Sequence, residues 1–235
     1  MAMNSINKSS SPPSFLGLDT PARVFQKRCQ DWADLPALRH KKHGLWQTVT
    51  WQQYYQHAQS VGLALMNMGL RQGDGVCVLA ENRPEWLYVD MAAQCLGMVG
   101  NGIYPTSSPK QLQHILLDSG TRVLFVENQE QLDKVLEVSE DCPELQHIVV
   151  MEREGLREFM HSKVSFFDDF LKQGEALVAT QATLFEKGIA ETRSDALAFL
   201  VYTSGTTGAP KGAMILNSNL VFQLSLATEY LDVAV

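Results

Sequence analysis

The sequence predicts an α/β fold with a mostly parallel sheet that has helices on both faces. Short apolar segments alternate with helical segments between residues 50 and 151. Strands that are joined through a helix normally run parallel in one sheet. The predicted strands are also continuously apolar, for example at residues 76–80 and 123–126, which is typical of a sheet buried on both sides.

The first elements are predicted from their boundary residues. A short helix is expected over residues 18–31, and two strands joined by a polar turn are expected within residues 36–50. Thr50 is expected to cap the next helix, because Gln53 stands three residues later, as in a capping box. Gly69 stands where the C-terminal cap of this helix belongs.

The middle of the chain repeats strand and helix. The strands are predicted at residues 76–80, 98–103, 122–126 and 147–151. The helices between them are expected to begin at the capping residues Asn82, Ser108 and Asn128, each followed three residues later by Glu or Gln. Gly120 is expected to end the helix that Ser108 opens.

Residues 152–193 are less regular, and two short helices are predicted there, over residues 166–171 and 175–187. A new section begins near Asp195. The sequence therefore predicts three parts, which are a flexible tail (1–14), a first α/β subdomain (15–193) and the start of a second subdomain (194–235).

The composition limits the classes of function. The 235 residues are 45% hydrophobic and 19% charged, with a net charge of −7, which is typical of a globular protein. An acidic chain is a poor nonspecific binder of nucleic acid, so no nucleic-acid partner is expected. The four cysteines form no CxxC pair and no zinc-ligand spacing, which favours a reducing, cytoplasmic location. No stretch has the uncharged apolar length of a transmembrane segment.

The most informative segment is a Ser-, Thr- and Gly-rich loop that follows an apolar strand beginning at Ala196. Hydroxyl groups that can donate hydrogen bonds to phosphate oxygens belong to Thr203, Ser204, Thr206 and Thr207. Glycines that let successive backbone amides point at one anion are Gly205, Gly208 and Gly212. Lys211 adds a compact positive charge. This chemistry favours a polyphosphate ligand.

Two common phosphate-binding patterns are excluded. A Walker A loop needs Ser or Thr after its lysine, whereas Gly212 follows Lys211 here. No GxGxxG fingerprint follows the early strands. The alternative to a phosphate site is an ordinary Ser/Thr/Gly-rich hairpin turn that faces water.

The order of residues 203–212, Thr-Ser-Gly-Thr-Thr-Gly-x-Pro-Lys-Gly, resembles the signature phosphate loop of the adenylate-forming (AMP-binding) superfamily. Two further segments, Asn-Arg-Pro-Glu-Trp at residues 82–86 and Ile-Tyr-Pro-Thr-Ser at residues 103–107, look most like its long-chain fatty acid–CoA ligase branch. The resemblance covers about residues 18–226. It implies the N-terminal part of the adenylate-forming enzyme fold.

The resemblance implies an enzyme that activates a long-chain fatty acid with ATP as an acyl-adenylate and then transfers the acyl group to coenzyme A. It implies that the β- and γ-phosphates of ATP, together with Mg²⁺, are held by Thr203, Ser204, Gly205, Thr206, Thr207, Gly208 and Lys211. No Mg²⁺ ligand and no catalytic residue is assigned within the chain. The cationic run at residues 41–43 leaves peripheral contact with the inner membrane surface open.

The sequence departs from the family pattern in two respects. Leu216 and Asn217 occupy positions where the family usually carries Ser or Thr and then His. The family's adenine-binding, ribose-binding and catalytic lysine segments do not occur in these 235 residues, so the chain alone is expected to be an inactive N-terminal part of a ligase. The alternatives are a truncated, non-catalytic remnant that binds a nucleotide or a partner, and a small ATPase that uses the loop alone.

Overall fold

The computed structural model describes residues 13–203 and 209–230. Its helices are α1 (Pro21–Asp31), α2 (Trp51–Asn67), α3 (Pro84–Cys95), α4 (Pro109–Ser119), α5 (Gln129–Val138), α6 (Phe167–Glu191) and α7 (Asn217–Tyr230). Its strands are β1 (Pro36–Lys42), β2 (Leu45–Thr50), β3 (Gly75–Leu79), β4 (Val99–Ile103), β5 (Thr121–Val126), β6 (His147–Val150), β7 (Val164–Phe166), β8 (Leu197–Thr203) and β9 (Lys211–Leu216).

Seven strands form one sheet in the order β7-β6-β5-β3-β4-β8-β9, and β1 pairs with β2 in a separate two-stranded sheet. Neighbouring strands of the large sheet run parallel, except that β9 lies antiparallel to β8. The central strand β3 pairs on both sides, so that Val76 lies opposite Gly100 of β4 and Val123 of β5. The predicted α/β class with a mostly parallel sheet is confirmed.

Helices cover both faces of this sheet. Val76, Val78 and Phe125 face one core, which includes residues of α1, α2, α3 and α6. Cys77 and Leu79, the alternate residues of β3, face a second core with α4 and α5. Every residue of β3 is buried, because successive side chains of a strand point to opposite faces and both faces are covered.

The predicted N-terminal caps of α2, α4 and α5 are confirmed. Thr50 Oγ1 accepts a hydrogen bond from the Gln53 amide at 3.2 Å, and Gln53 Oε1 accepts one from the Thr50 amide at 2.9 Å. Ser108 and Gln111 form the same reciprocal pair at α4. Asn128 accepts from the backbone at the start of α5. These caps satisfy amides that a helix cannot pair internally.

Glycines end two of these helices, as expected. Gly69 follows α2 and Gly120 follows α4, with positive φ angles of 90° and 61°, a region that glycine adopts at little cost. The strand pair within residues 36–50 is confirmed as β1 and β2. The first helix is shorter than predicted, because Thr20 caps α1 at its N-terminus.

The predicted cap of α3 is wrong by one residue. Arg83, rather than Asn82, is the capping residue, and its side chain makes no capping hydrogen bond. Pro84 explains the difference, since a residue that precedes proline is kept out of the helical conformation. Arg83 is accordingly extended, with φ of −154° and ψ of 159°.

The prediction of two short helices before the second subdomain is also wrong, because α6 is a single helix of 25 residues. Gly174 lies where α6 meets α2. A Cβ atom at Gly174 would lie 1.8 Å from the carbonyl oxygen of Ser60. Packing against α2 therefore continues the helix through a residue of poor intrinsic helix propensity.

Two strands, β7 and β9, were not predicted as separate elements. β7 has only three residues and forms one edge of the sheet, and β9 forms the other. β8 pairs with β4, so residues on both sides of the predicted division at 193/194 contribute to one sheet. That division stays a prediction, as does the flexible tail, whose residues 1–12 lie outside the described part.

Candidate phosphate-binding site

The predicted phosphate loop connects β8 to β9 at one edge of the sheet. Thr203 ends β8, Lys211 begins β9, and the two residues lie opposite each other in the antiparallel register. Both residues are exposed. The other predicted ligands, Ser204, Gly205, Thr206, Thr207 and Gly208, lie outside the described residues. The hairpin formed by β8 and β9 therefore brings one predicted hydroxyl donor and the predicted cation to the same end of the sheet.

Helix α4 contacts both arms of this hairpin. His114 Nε2 donates a hydrogen bond to the carbonyl oxygen of Pro210 at 2.8 Å, immediately before β9. The Tyr202 hydroxyl, near the end of β8, donates a hydrogen bond to Asp118 Oδ2 at 2.7 Å. His114 and Asp118 are four residues apart, so they are neighbours on one side of the helix.

Sequence reasoning missed both helix residues, because these contacts join positions that are 84 and 96 residues apart. The available signal was weak. His114 and Asp118 stand one turn apart and off the apolar stripe of α4, which consists of Leu112, Ile115 and Leu116. That spacing indicates a polar face, but it does not indicate what the face contacts.

Tyr202 lies across the neighbouring strand β9. A Cβ atom at Gly212, its partner in the register, would lie 3.0 Å from Tyr202 Cζ and 3.2 Å from the hydroxyl oxygen. Gly212 therefore leaves room for the ring. Burial raises the pKa of Tyr202, and the hydrogen bond and negative charge of Asp118 raise it further. The hydroxyl accordingly remains a hydrogen-bond donor at neutral pH.

A cavity of about 370 Å³ opens beside the hairpin, at the carboxyl ends of β3, β4 and β8. Its walls include Glu81, Asn82, Trp86, Tyr104 and Tyr202. Ligands of α/β proteins commonly bind outside the carboxyl ends of parallel strands. The cavity is large enough for part of a small-molecule ligand, and Tyr202 places it next to the predicted phosphate loop.

Asn217, one of the two departures from the family pattern, has a structural role. Its side-chain amide donates a hydrogen bond to the carbonyl oxygen of Arg193 at 2.8 Å, and its backbone amide donates to Ala196. The residue is buried at the start of α7. Asn217 therefore ties α7 to the segment that precedes β8.

Other candidate chemistry is limited in the described part of the chain. Residues 13–203 and 209–230 contain no cluster of three or more His, Cys, Asp or Glu side chains that could hold a metal ion. All four cysteines are buried, and burial raises the pKa of Cys29 to about 12. Cys77 and Cys95 are each 0% exposed. Within the same ranges, no helix is long and apolar enough to cross a membrane.

Sequence comparison assigns nearly all of the chain to one family, since residues 25–234 match the AMP-binding enzymes. The long-chain-fatty-acid–CoA ligase ACSBG2 of Rattus norvegicus is 32% identical over 209 residues, which cover 88% of this chain and 31% of the relative. ACSBG1 of Homo sapiens, of the same description, is 30% identical over 222 residues, covering 91% of this chain and 29% of the relative. The chain thus spans about three tenths of the length of these curated relatives.

Solved structures share the fold. The anthranilate CoA ligase AuaEII, in complex with anthranoyl-AMP, superimposes with a TM-score of 0.69 at 24% identity, covering 95% of this chain and 38% of that protein. VinN in complex with 3-methylaspartate gives a TM-score of 0.70 at 20% identity, covering 94% of this chain and 53% of that protein. Because the family match spans residues 25–234, which is most of the chain, the chain belongs to the AMP-binding enzyme family.

Proposed function

We propose that the protein is an ATP-dependent acyl-CoA synthetase that activates a long-chain fatty acid as its acyl-adenylate and transfers the acyl group to coenzyme A. Residues 15–193 would form the first subdomain of its AMP-binding domain, and residues 194–235 would begin the second. Family membership supports the adenylate-forming reaction. The names of the relatives, together with the segments at residues 82–86 and 103–107, support the long-chain substrate.

The observation that carries this proposal is the pairing of Thr203 with Lys211 at the loop end of the β8–β9 hairpin. With the neighbouring donors Ser204, Gly205, Thr206, Thr207 and Gly208, these residues would bind the β- and γ-phosphates of ATP. Hydroxyl, amide and ammonium donors from one short segment can surround an anion without large reorganisation. Mg²⁺ would share the phosphate charge, and its protein ligands are left unassigned.

In the proposed reaction a carboxylate oxygen of the fatty acid attacks the α-phosphorus of ATP, which forms the acyl-adenylate and releases pyrophosphate. The thiol sulfur of coenzyme A then attacks the acyl carbonyl carbon and loses its proton, and AMP leaves. Lys211 would stabilise the charge that develops on the leaving pyrophosphate. An interaction that strengthens as the charge develops raises the rate of adenylation as well as the affinity for ATP.

Lys211→Ala, made in the native protein that contains this chain, tests the site. A hydrogen bond to a charged group contributes about 2 kcal/mol, so kcat/KM for ATP should fall about 30-fold. Lys172→Ala removes an exposed lysine of α6 and is the matched control, which should keep the wild-type value. Equal kcat/KM values for Lys211→Ala and the wild type would contradict the role of Lys211.

The long-chain assignment has a separate test. Acyl-CoA formation is measured with palmitate, octanoate and anthranilate at saturating ATP and coenzyme A. We expect the highest kcat/KM with palmitate, because a longer chain buries more apolar surface. A higher kcat/KM with anthranilate or octanoate would support the adenylate-forming reaction but contradict the long-chain fatty acid as its substrate.

We also propose a cytoplasmic location with a peripheral membrane contact, and the β1–β2 hairpin supports the contact. Leu45 and Trp46 stand at the turn and are 68% and 69% exposed. Lys42 lies opposite Leu45, and Lys41 lies opposite Trp46. Residues 36–50 contain no Asp or Glu, although the chain carries a net charge of −7. Cations beside an exposed tryptophan suit an anionic bilayer surface.

Sedimentation with phosphatidylcholine vesicles, with and without phosphatidylserine, tests this contact. Each lysine near an anionic surface contributes about 1 kcal/mol, so the double variant Lys41→Gln and Lys42→Gln should bind about 30-fold more weakly. Trp46→Ala should also weaken binding, whereas Met160→Ala, which removes a 93% exposed side chain elsewhere, should not. Equal binding by all variants, or none by the wild type, would refute the contact.

A further inference from the structure

We propose that α4 positions the phosphate site, with His114 and Asp118 each holding one arm of the β8–β9 hairpin. The two hydrogen bonds then determine where Thr203 and Lys211 stand relative to each other and to the sheet. The inference rests on the proposed function, because it assigns positioning residues to the same site.

The hydrogen bond from His114 orients the start of β9. A carbonyl oxygen can only accept, so His114 carries a proton on Nε2, which donates to Pro210 at 2.8 Å. The carbonyl group of Pro210 and the amide of Lys211 belong to one planar peptide unit. Fixing the Pro210 oxygen therefore fixes the plane in which the Cα atom of Lys211 lies. His114 therefore acts on Lys211, the predicted phosphate-binding cation, through the backbone.

The hydrogen bond to Asp118 orients the end of β8. Tyr202 precedes Thr203 directly, and its hydroxyl donates to Asp118 Oδ2 at 2.7 Å. The ring also lies against Gly212, in space that a Cβ atom would occupy. Tyr202 thus joins β8, β9 and α4 in one contact, and movement of either arm would break it.

Helix α4 is a suitable platform, because it is itself held firmly. Leu112 and Leu116 are 0% and 1% exposed in the core beneath the sheet. The reciprocal cap between Ser108 and Gln111 closes its N-terminus, and Gly120 ends it in the left-handed conformation. A helix with both ends capped and one face buried has little freedom to follow the hairpin.

Steady-state pyrophosphate exchange by the native protein tests the inference through four variants. His114→Ala removes the donor, and His114→Gln keeps an N–H group at a similar distance from the backbone. Tyr202→Phe keeps the ring and removes the hydroxyl donor. His147→Ala is the matched control, because His147 Nε2 makes a hydrogen bond of the same 2.8 Å length to Ser165 Oγ near the opposite edge of the sheet.

We expect His114→Ala and Tyr202→Phe each to raise KM for ATP about 10-fold and to leave KM for the fatty acid within about twofold. His114→Gln should recover most of the wild-type value, and His147→Ala should match the wild type. An unchanged KM for ATP, an equal loss in His114→Gln and His114→Ala, or an equal rise in both KM values would overturn the inference.

Hydrogen exchange keeps the inference separate from the proposed function. If the wild type shows no pyrophosphate exchange with any fatty acid, the proposed function fails. The anchoring is then judged from the hydrogen-exchange rates of the backbone amides of Lys211 and Gly212. These amides should exchange about 10-fold faster in His114→Ala than in His147→Ala, because the anchored plane is released. Equal exchange rates would overturn the anchoring whatever the activity of the protein.

Discussion

The carboxyl group of Asp90 should make the stability of the fold depend on pH. Asp90 lies on α3, and its Oδ1 atom is buried and has no hydrogen-bond partner among the described residues. Its Oδ2 atom accepts a hydrogen bond from Gln94 Nε2 at 2.8 Å. Val76, Trp86 and Phe199 are among its surroundings. Burial raises the pKa of Asp90 from 3.8 to about 7, although the hydrogen bond from Gln94 opposes the rise.

The direction and size of the effect follow from proton linkage. Between pH 4 and pH 7 the folded chain holds a proton on Asp90 that the unfolded chain has lost, so the free energy of unfolding falls as pH rises. Each pH unit of increase in this window lowers the free energy of unfolding by about 1.4 kcal/mol. The full contribution of Asp90 to the free energy of unfolding, about 4 kcal/mol, is present below pH 3.8 and is lost above pH 7.

Asp90→Asn removes the ionisation while keeping the shape of the side chain. Urea unfolding followed by tryptophan fluorescence at pH 5 and pH 8 should show the variant to be more stable than the wild type at pH 8, with a smaller difference at pH 5. Asp133→Asn, at an exposed position of α5, controls for the loss of one negative charge. A stability difference between Asp90→Asn and the wild type that is the same at both pH values would show that folding does not raise the pKa of Asp90.

Three further substitutions test the fold by the same urea method. Gly174→Ala should destabilise the chain by more than about 3 kcal/mol, because the added methyl group would meet the Ser60 carbonyl oxygen. A variant more stable than the wild type would contradict the packing of α6 on α2. Thr50→Ala should cost about 1 kcal/mol through loss of the cap to Gln53, and no loss would contradict the capping box. Leu63→Ala should cost about 3–5 kcal/mol, because Leu63 is 0% exposed, and a cost below about 1 kcal/mol would contradict its burial.

The parts of the fold that depend on neighbouring residues were predictable from the sequence. The pairs Thr50–Gln53 and Ser108–Gln111 act over three residues, so their spacing alone indicates where α2 and α4 begin. The continuous apolar run of β3 indicated a strand buried on both faces. Alternation of such strands with helices then implied parallel pairing.

The parts that depend on distant residues were not predictable. α6 remains helical through Gly174 because α2 packs against it, and no local pattern indicates that contact. β7 is recognised only because it pairs with β6. In the candidate site, the loop was identified from its own residues, whereas the anchors His114 and Asp118 depend on long-range contacts.

Exchange of labelled pyrophosphate into ATP by the native protein that contains this chain measures adenylate formation directly. We expect label to enter ATP only when a fatty acid is present, since the acyl-adenylate must form before pyrophosphate can return. We also expect Lys211→Ala to lower the rate of exchange and Lys172→Ala to leave it unchanged. Exchange without any acid, or no exchange with palmitate, octanoate or anthranilate, would contradict an adenylate-forming acyl-CoA synthetase.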